Sequence, residues 1–297
     1  MYIKEYINKN EYHSNEIEEF LIELNTCFQK VKIVVFKNYG KSLLLNDRIQ
    51  STEKDEFIYH ESLVFPAFSY FPEIKKVLSI GGVNGGIERE LLKINSVETI
   101  KFIDVDEEAS KLARIYLPHM FGKNDMKKVI EYSYSTNPAE IINTEKSKNW
   151  DFIINDFPDA LENSYCTSLY SLDYFNLIQS KLSEKGITVF QLGSLNNYKA
   201  DFFKTNYFKL CSVFKAVKLY TVYVPSFGCS WILSICSNRN FEAGQLSTKF
   251  ESNHYNENQL RFYDLISHEH LFNLPKFLRK ELETTIDFFG SNTTYQF

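Results

Sequence analysis

Cysteine is scarce in this 297-residue chain, and the five present, Cys27, Cys166, Cys211, Cys229 and Cys236, form no Cys-x-x-Cys pair. An odd, scattered set speaks against a disulfide framework and against a structural zinc site, so no metal is expected. Several of these residues lie in apolar runs, where a free thiol packs as a small buried hydrophobe. A basic surplus is also missing: 33 Lys and Arg stand against 38 Asp and Glu, for a net charge of −5. Without a basic stripe there is no electrostatic grip for a nucleic acid polymer. The opening "MYIKEYINKNEYHSNEIEEF" is polar and has no signal-like apolar core, and no apolar run is long enough to span a bilayer. The expectation is a cytoplasmic protein without a membrane partner. Neither an internal repeat nor a low-complexity linker interrupts the chain.

Aromatic residues are abundant, with 26 Phe and 19 Tyr. They promise a well-filled core and aromatic-lined pockets but name no chemistry. The length allows one large domain with a small one attached. Residues 15–24, "NEIEEFLIEL", place Ile17, Phe20, Leu21 and Leu24 at helical spacing, which predicts a short amphipathic helix. "FQKVKIVVF" (28–36) and "KSLLLND" (41–47) read as a β-hairpin turning at "KNYG", and 55–68 as a helix. From residue 75 strand and helix patterns alternate: strands at 75–81, 99–106, 127–134, 151–157 and 187–194, helices between them. The helix that starts at Leu172 is expected to stop at Gly186, and the tail from Leu260 is helical in pattern. Such alternation implies a mostly parallel, doubly wound sheet. The chain therefore divides into an N-terminal region over 1–70, with a short helix and a small β-domain, and a Rossmann-like domain over 71–297.

In a doubly wound sheet, ligands sit beyond the carboxyl ends of the strands. The first strand of the alternating block runs into "GGVNGG", in which Gly81, Gly82, Gly85 and Gly86 permit close approach of backbone to ligand. About twenty residues later the next strand ends in Asp104-Val105-Asp106, where an acid can accept both hydroxyls of a ribose. A further strand ends in Asp156, with Asp159 three residues on. Two carboxylates on one rim can orient an amine and take its proton. Read without further context, each acid also has a purely structural reading, as a strand end or a helix cap.

Taken together, "LLLNDRIQSTEKDEFIYHESLV" (43–64), the glycine turn, the Asp-Val-Asp strand end, the Asp-x-x-Asp pair and "FNLPKFLRKEL" resemble the spermidine synthases, the polyamine aminopropyltransferases. The resemblance runs from about residue 25 to the tail. It implies a small N-terminal β-domain, a methyltransferase-like Rossmann domain and a homodimer. The implied reaction is attack by an amine on the aminopropyl carbon beside the sulfonium of decarboxylated S-adenosylmethionine, leaving methylthioadenosine. By the same resemblance Asp156 matches the catalytic aspartate, Asp159 the second acid of the acceptor site, and Tyr59 a residue facing the reacting groups. Gln50, His60, Gly81, Gly82, Asn84, Gly85, Asp104 and Asn137 match donor-binding positions.

Three departures from the family pattern carry information. Asn84 stands where most members have an aspartate that holds the cationic amine of the transferred chain. Near Thr136-Asn137 the usual Gly-Asp of the adenine contact is replaced. The Pro-Thr-Tyr-Pro-Ser-Gly loop is here "VPSFGCSW", so Phe227 brings no hydroxyl. An aspartate would repel the carboxylate of undecarboxylated S-adenosylmethionine, by about 4 kcal/mol at 4 Å and an effective dielectric near 20. An asparagine would not. These substitutions lead to the expectation of 3-amino-3-carboxypropyl transfer from S-adenosylmethionine itself, onto a peptide–nucleotide acceptor as in maturation of microcin C-type antibiotics. A conventional spermidine-forming aminopropyltransferase and a catalytically degenerate binding protein are the alternatives.

Overall fold

The computed structural model describes residues 1–8, 10–82, 84–122, 127–144, 149–158, 165–195, 200–241 and 259–289. The hairpin forms as the sequence predicts. Lys30–Phe36 (β3) pairs with Gly40–Leu45 (β4), and Gly40 takes φ 73° at the turn. Asn46 and Asp47 follow with φ of 52° and 63°, a two-residue turn of the kind these side chains tolerate. They send the chain back as Arg48–Thr52 (β5), which carries Gln50.

Residues 15–24 are not helical. They belong to Glu11–Asn25 (β2), which pairs antiparallel with Tyr2–Asn8 (β1) on one side and with β3 on the other. The pairing with β3 slips between Ile17 and Glu19 and again between Phe20 and Ile22. Each bulge inserts one residue and breaks the two-residue alternation of a strand. Two of them close together spread the apolar positions into a pattern that imitates a helix. The consequence is visible in burial: Ile17 is covered, whereas Phe20 is 44% and Leu24 38% exposed.

The five strands form one antiparallel sheet in the order β1-β2-β3-β4-β5. Glu56–Tyr70 (α1) follows it. Although the helix lies within the 1–70 segment, it packs on the second layer, against α2 (Gly86–Leu92) and the strands of the second sheet. That sheet has the order β11-β12-β10-β9-β6-β7-β8. Its strands are Lys76–Gly81 (β6), Thr99–Asp104 (β7), Val129–Tyr134 (β8), Trp150–Asp156 (β9), Leu182–Ser194 (β10), Ala216–Val224 (β11) and Cys229–Ser237 (β12). Strands β8, β7, β6, β9 and β10 are parallel, and β12 runs antiparallel between β10 and β11.

The remaining α-helices among the described residues are Glu107–Tyr116 (α3), Pro138–Thr144 (α4), Leu172–Lys181 (α5), Ala200–Val213 (α6), Leu265–Phe272 (α7) and Lys276–Phe289 (α8). One core joins Leu63, Phe65, Ile87 and Leu271 to Phe102, Phe152 and Val189, and another joins Phe175, Phe203, Leu210 and Leu278 to Leu78, Ile153 and Phe190. Helices thus cover both faces of the sheet, the doubly wound architecture that the alternation predicts. Helix α5 stops at Lys181 rather than at Gly186, because the chain enters β10 at once and slips its pairing with β9 between Leu182 and Ile187. A Cβ on Gly186 would lie 2.9 Å from Leu182 Cβ and from the Trp150 carbonyl, so this glycine serves the bulged strand. Among the described residues no helix is long and apolar enough to cross a membrane.

Asp106 ties the two layers together. Its Oδ1 caps α3 by accepting the Ala109 N–H at 3.0 Å, and its Oδ2 accepts from Thr26 Oγ1 at 2.7 Å and Gln29 Nε2 at 2.9 Å. Val31 and Ile33 of β3 pack below it with Ala109, Leu117 and Met120. Replacing Asp106→Ala removes a cap and strands two donors, so it should cost about 2–3 kcal/mol. Chemical denaturation should show that loss, and limited proteolysis should cut the β1–β5 region first.

Candidate active site

Strand β6 lies between β7 and β9, where the strand order reverses, and a cavity opens beyond the carboxyl ends of these strands. Its wall joins Gln50, Tyr59, Gly81, Gly82, Asn84, Asp104 and Asp156. Seven residues chosen from the sequence over a span of more than one hundred positions therefore meet at one site.

The glycine turn sets the geometry. Gly81 has φ 81° and Gly82 φ 73°, a left-handed conformation that side chains rarely adopt. A Cβ on Gly81 would fall 2.0 Å from the Asp156 carbonyl oxygen, and one on Gly82 would fall 2.3 Å from Ile87 Cδ1 and 3.0 Å from Asp156 Oδ2. The missing side chains let the end of β9 lie directly against the turn. Tyr59, near the start of α1, is buried and donates its hydroxyl to Asp156 Oδ1 at 2.7 Å. Burial raises the Asp156 carboxyl above the usual range, and the Tyr59 hydrogen bond offsets part of that. The Tyr59 phenol is itself pushed well up, by burial and by the neighbouring carboxylate.

Asp104 Oδ1 accepts from the N–H groups of Val105 and Asp106 at 2.7 and 3.0 Å. Burial outweighs these bonds and pushes its carboxyl up to about 6. Asn84 Oδ1 accepts the Gly86 N–H at 3.2 Å, which leaves the amide NH₂ as its remaining polar group.

Three expected donor contacts do not reach the wall. His60 is buried behind the turn, its ring where a Cβ on Gly86 would fall, 2.2 Å from His60 Cε1. Its Nδ1 lies 2.7 Å from Glu56 Oε2. Burial alone would raise Glu56, but hydrogen bonds from His60 and from the fork of Arg89, at 2.7 and 2.8 Å, bring its carboxyl down to about 2. Gly85 faces the Phe121 ring rather than the cavity. Asn137 is exposed, with its N–H on Ser135 Oγ, and it is the neighbouring Pro138 that borders the cavity. Asp159 lies outside the described residues.

The sequence reading missed an entire wall. Gln191, near the carboxyl end of β10, is 3% exposed. Its Nε2 donates to the Phe157 carbonyl and to Tyr170 Oη, and its Oε1 accepts from Gly193 N and from Trp231 Nε1 at 3.0 Å. It therefore fixes the residue after Asp156 and the Trp231 ring together. Trp231 packs on Phe227 with centroids 5.2 Å apart, and Phe227 on Tyr59 at 5.7 Å. Cys229 borders the same space, and Glu5, Tyr6 and Gln29 reach it from the N-terminal sheet. A buried amide in the apolar run "ITVFQLG" was the available signal. Of the five free thiols, Cys166, Cys211 and Cys236 are buried as expected, while Cys27 is exposed and Cys229 half-buried.

Comparison with known proteins shows the family. Residues 56–246 match the spermine/spermidine synthase domain, and residues 1–53 match the spermidine synthase tetramerisation domain. The chain belongs to the spermine/spermidine synthase family. It is an aminopropyltransferase by that membership. A polyamine aminopropyltransferase of Aeropyrum pernix is 32% identical over 280 residues, covering 90% of this chain and 85% of its own length. One from Saccharolobus solfataricus is 33% identical over 276 residues, covering 92% of this chain and 90% of its own length. The fold superposes with a TM-score of 0.86 on a spermidine synthase in complex with the transition-state analogue AdoDATO, at 26% identity, covering 96% of this chain and 95% of that one. The tetramerisation match points to self-assembly but not specifically to the expected dimer.

Gly81→Ala places a methyl group against the Asp156 backbone in a left-handed turn. It should lower stability by at least about 2 kcal/mol. The loss should appear in thermal unfolding as a fall of at least about 4 °C.

Proposed function

We propose that the protein transfers a 3-aminopropyl chain from decarboxylated S-adenosylmethionine to an amine of a polyamine such as putrescine. The observation that carries this reading is the Tyr59–Asp156 pair at 2.7 Å, set against the glycine turn in the cavity. Names of the relatives favour it over the peptide–nucleotide acceptor anticipated from Asn84 and Phe227, because they are polyamine aminopropyltransferases.

In this reading Asp104 accepts the ribose hydroxyls of the donor, and Gly81 and Gly82 admit its chain beside Asp156. The sulfonium is already a good leaving group, so catalysis reduces to presenting a free amine in line. The amine lone pair forms the new C–N bond while the C–S pair returns to sulfur, giving a neutral thioether. Asp156, raised by burial, is suited to take the proton that the nitrogen must shed. Tyr59 holds that carboxylate in position, and Gln191 steadies the wall behind it. Asp159 remains the second acid of this proposal.

Asn84 favours a second reading of the donor. With its oxygen spent on Gly86, its free NH₂ suits a carboxylate better than an ammonium, which fits undecarboxylated S-adenosylmethionine.

Asp156→Asn should lower kcat by about 10²–10⁴-fold in an assay of methylthioadenosine release, with donor binding retained. Tyr59→Phe should lower it less and shift the acidic limb of the pH profile upward, since the lost hydrogen bond no longer opposes burial at Asp156. Unchanged turnover in Asp156→Asn would refute the role of that residue.

Calorimetry of S-adenosylmethionine and its decarboxylated form should give at least about tenfold tighter binding of the decarboxylated donor. The opposite order would establish the Asn84 reading, and Asn84→Asp should then shift preference toward the decarboxylated form. Donor hydroxyls bind the ionised Asp104, so affinity should be level above pH 6 and fall about tenfold per unit below it. Asp104→Asn should bind weakly with no such slope.

A further inference from the structure

We propose that a second cavity, walled by Tyr70, Lys218, His268, Phe272, Leu274 and Leu282, binds a small organic carboxylate. It lies at the end of β11 remote from Pro225 and Phe227, beside the last residue of α1. Its volume is about 280 Å³, against the roughly 10–15 Å³ needed for one water.

Lys218 and His268 both border it. Lys218 is half-buried, its ammonium 5.4 Å from the Tyr70 ring centroid and 5.7 Å from that of Phe241. Among the described residues its ammonium makes neither a hydrogen bond nor an ion pair. Glu269 also borders the cavity but is exposed and is not paired with it. His268 is 1% exposed, and its Nδ1 lies 2.5 Å from Tyr263 Oη, which is in turn 2.9 Å from Ser69 Oγ. In this proposal Tyr263, the stronger acid, is the donor to Nδ1, which places the ring proton on Nε2. Among the described residues that buried Nε2 has no partner. Burial, reinforced by the Lys218 charge, pushes His268 down to about 4, so it is a neutral donor at ordinary pH.

A buried donor without an acceptor is destabilising. A partly desolvated ammonium bordering the same cavity adds a second demand of the same sign. Burial has already lowered the Lys218 pKa. One carboxylate would satisfy both groups. Phosphate would fit the charges, but Tyr70, Phe272, Leu274 and Leu282 supply an apolar lining that suits an organic body instead.

The test uses the full-length protein and benzoate, with benzyl alcohol as the uncharged counterpart, by calorimetry at neutral pH. Benzoate should bind with a dissociation constant of about 1 mM or tighter, and benzyl alcohol at least about tenfold more weakly. Lys218→Met should abolish the difference while Lys218→Arg keeps it, and circular dichroism should show both variants folded. His268→Phe should weaken benzoate alone. Failure of benzoate to bind at that level, or equal affinity in wild type and Lys218→Met, would overturn the proposal.

Discussion

The active-site geometry depends on one contact between two backbones, Gly81 at the end of β6 and Asp156 at the end of β9. Parallel pairing brings these residues opposite each other, and the absence of a Cβ on Gly81 lets the following turn fold over the Asp156 carbonyl. Nothing larger fits. Once this contact is made, the Asp156 carboxylate faces the cavity at a height that α1 can reach, and Tyr59 meets it. The buried hydroxyl and the carboxylate then supply each other's partner. The acid is consequently held by elements rather than by a loop, which the proposed function requires of a group that presents an amine in line.

The same turn explains why two residues with chemistry in their side chains are structural. Gly86 lies on the His60 ring, and His60 joins Glu56 and Arg89 in a buried chain of hydrogen bonds. This chain braces α1 against α2 immediately behind the glycines. Glu56 is paired on both sides, and its depressed pKa reflects a carboxylate whose charge is already compensated. Asp104 and Asp156 are the reverse. Burial raises both, and for Asp104 the balance settles near 6. Acids in that condition favour a ligand that brings hydroxyl donors or positive charge, whereas Glu56 has no such demand. Electrostatics therefore separates the bracing carboxylate from the two that face the cavity.

Much of this was legible because parallel strands buried on both faces read as apolar runs ended by glycine or acid. The strand ends at Gly81, Asp104 and Asp156 could be placed from sequence for that reason. What escaped depended on interruptions of regularity or on contacts distant in sequence. Two bulges in β2 disguised a strand as a helix, and another at Gly186 hid the early end of α5. Gln191 carried a local signal, a buried amide in an apolar strand, but its partners Phe157 and Trp231 lie 34 and 40 residues away. Tyr6 and Gln29 reach the cavity only because the N-terminal sheet is folded over it. His60 shows the opposite error, since its place within a matched motif gave no indication of which face of α1 it occupies.

The N-terminal sheet is more than an appendage in this arrangement. Thr26 and Gln29 bond Asp106, two residues beyond the acid that the proposed function assigns to the ribose, and the Asp106 N–H itself bonds Asp104. On the other side Asp55, at the junction of the sheet with α1, accepts from Thr52 and from both the N–H and hydroxyl of Ser226, beside Phe227. The sheet thus grips the Asp104 end of the cavity through Asp106 and the aromatic end through Asp55. Both grips use buried carboxylates with several donors, which are costly to break one partner at a time. A disturbance of the sheet would therefore reach both ends of the cavity.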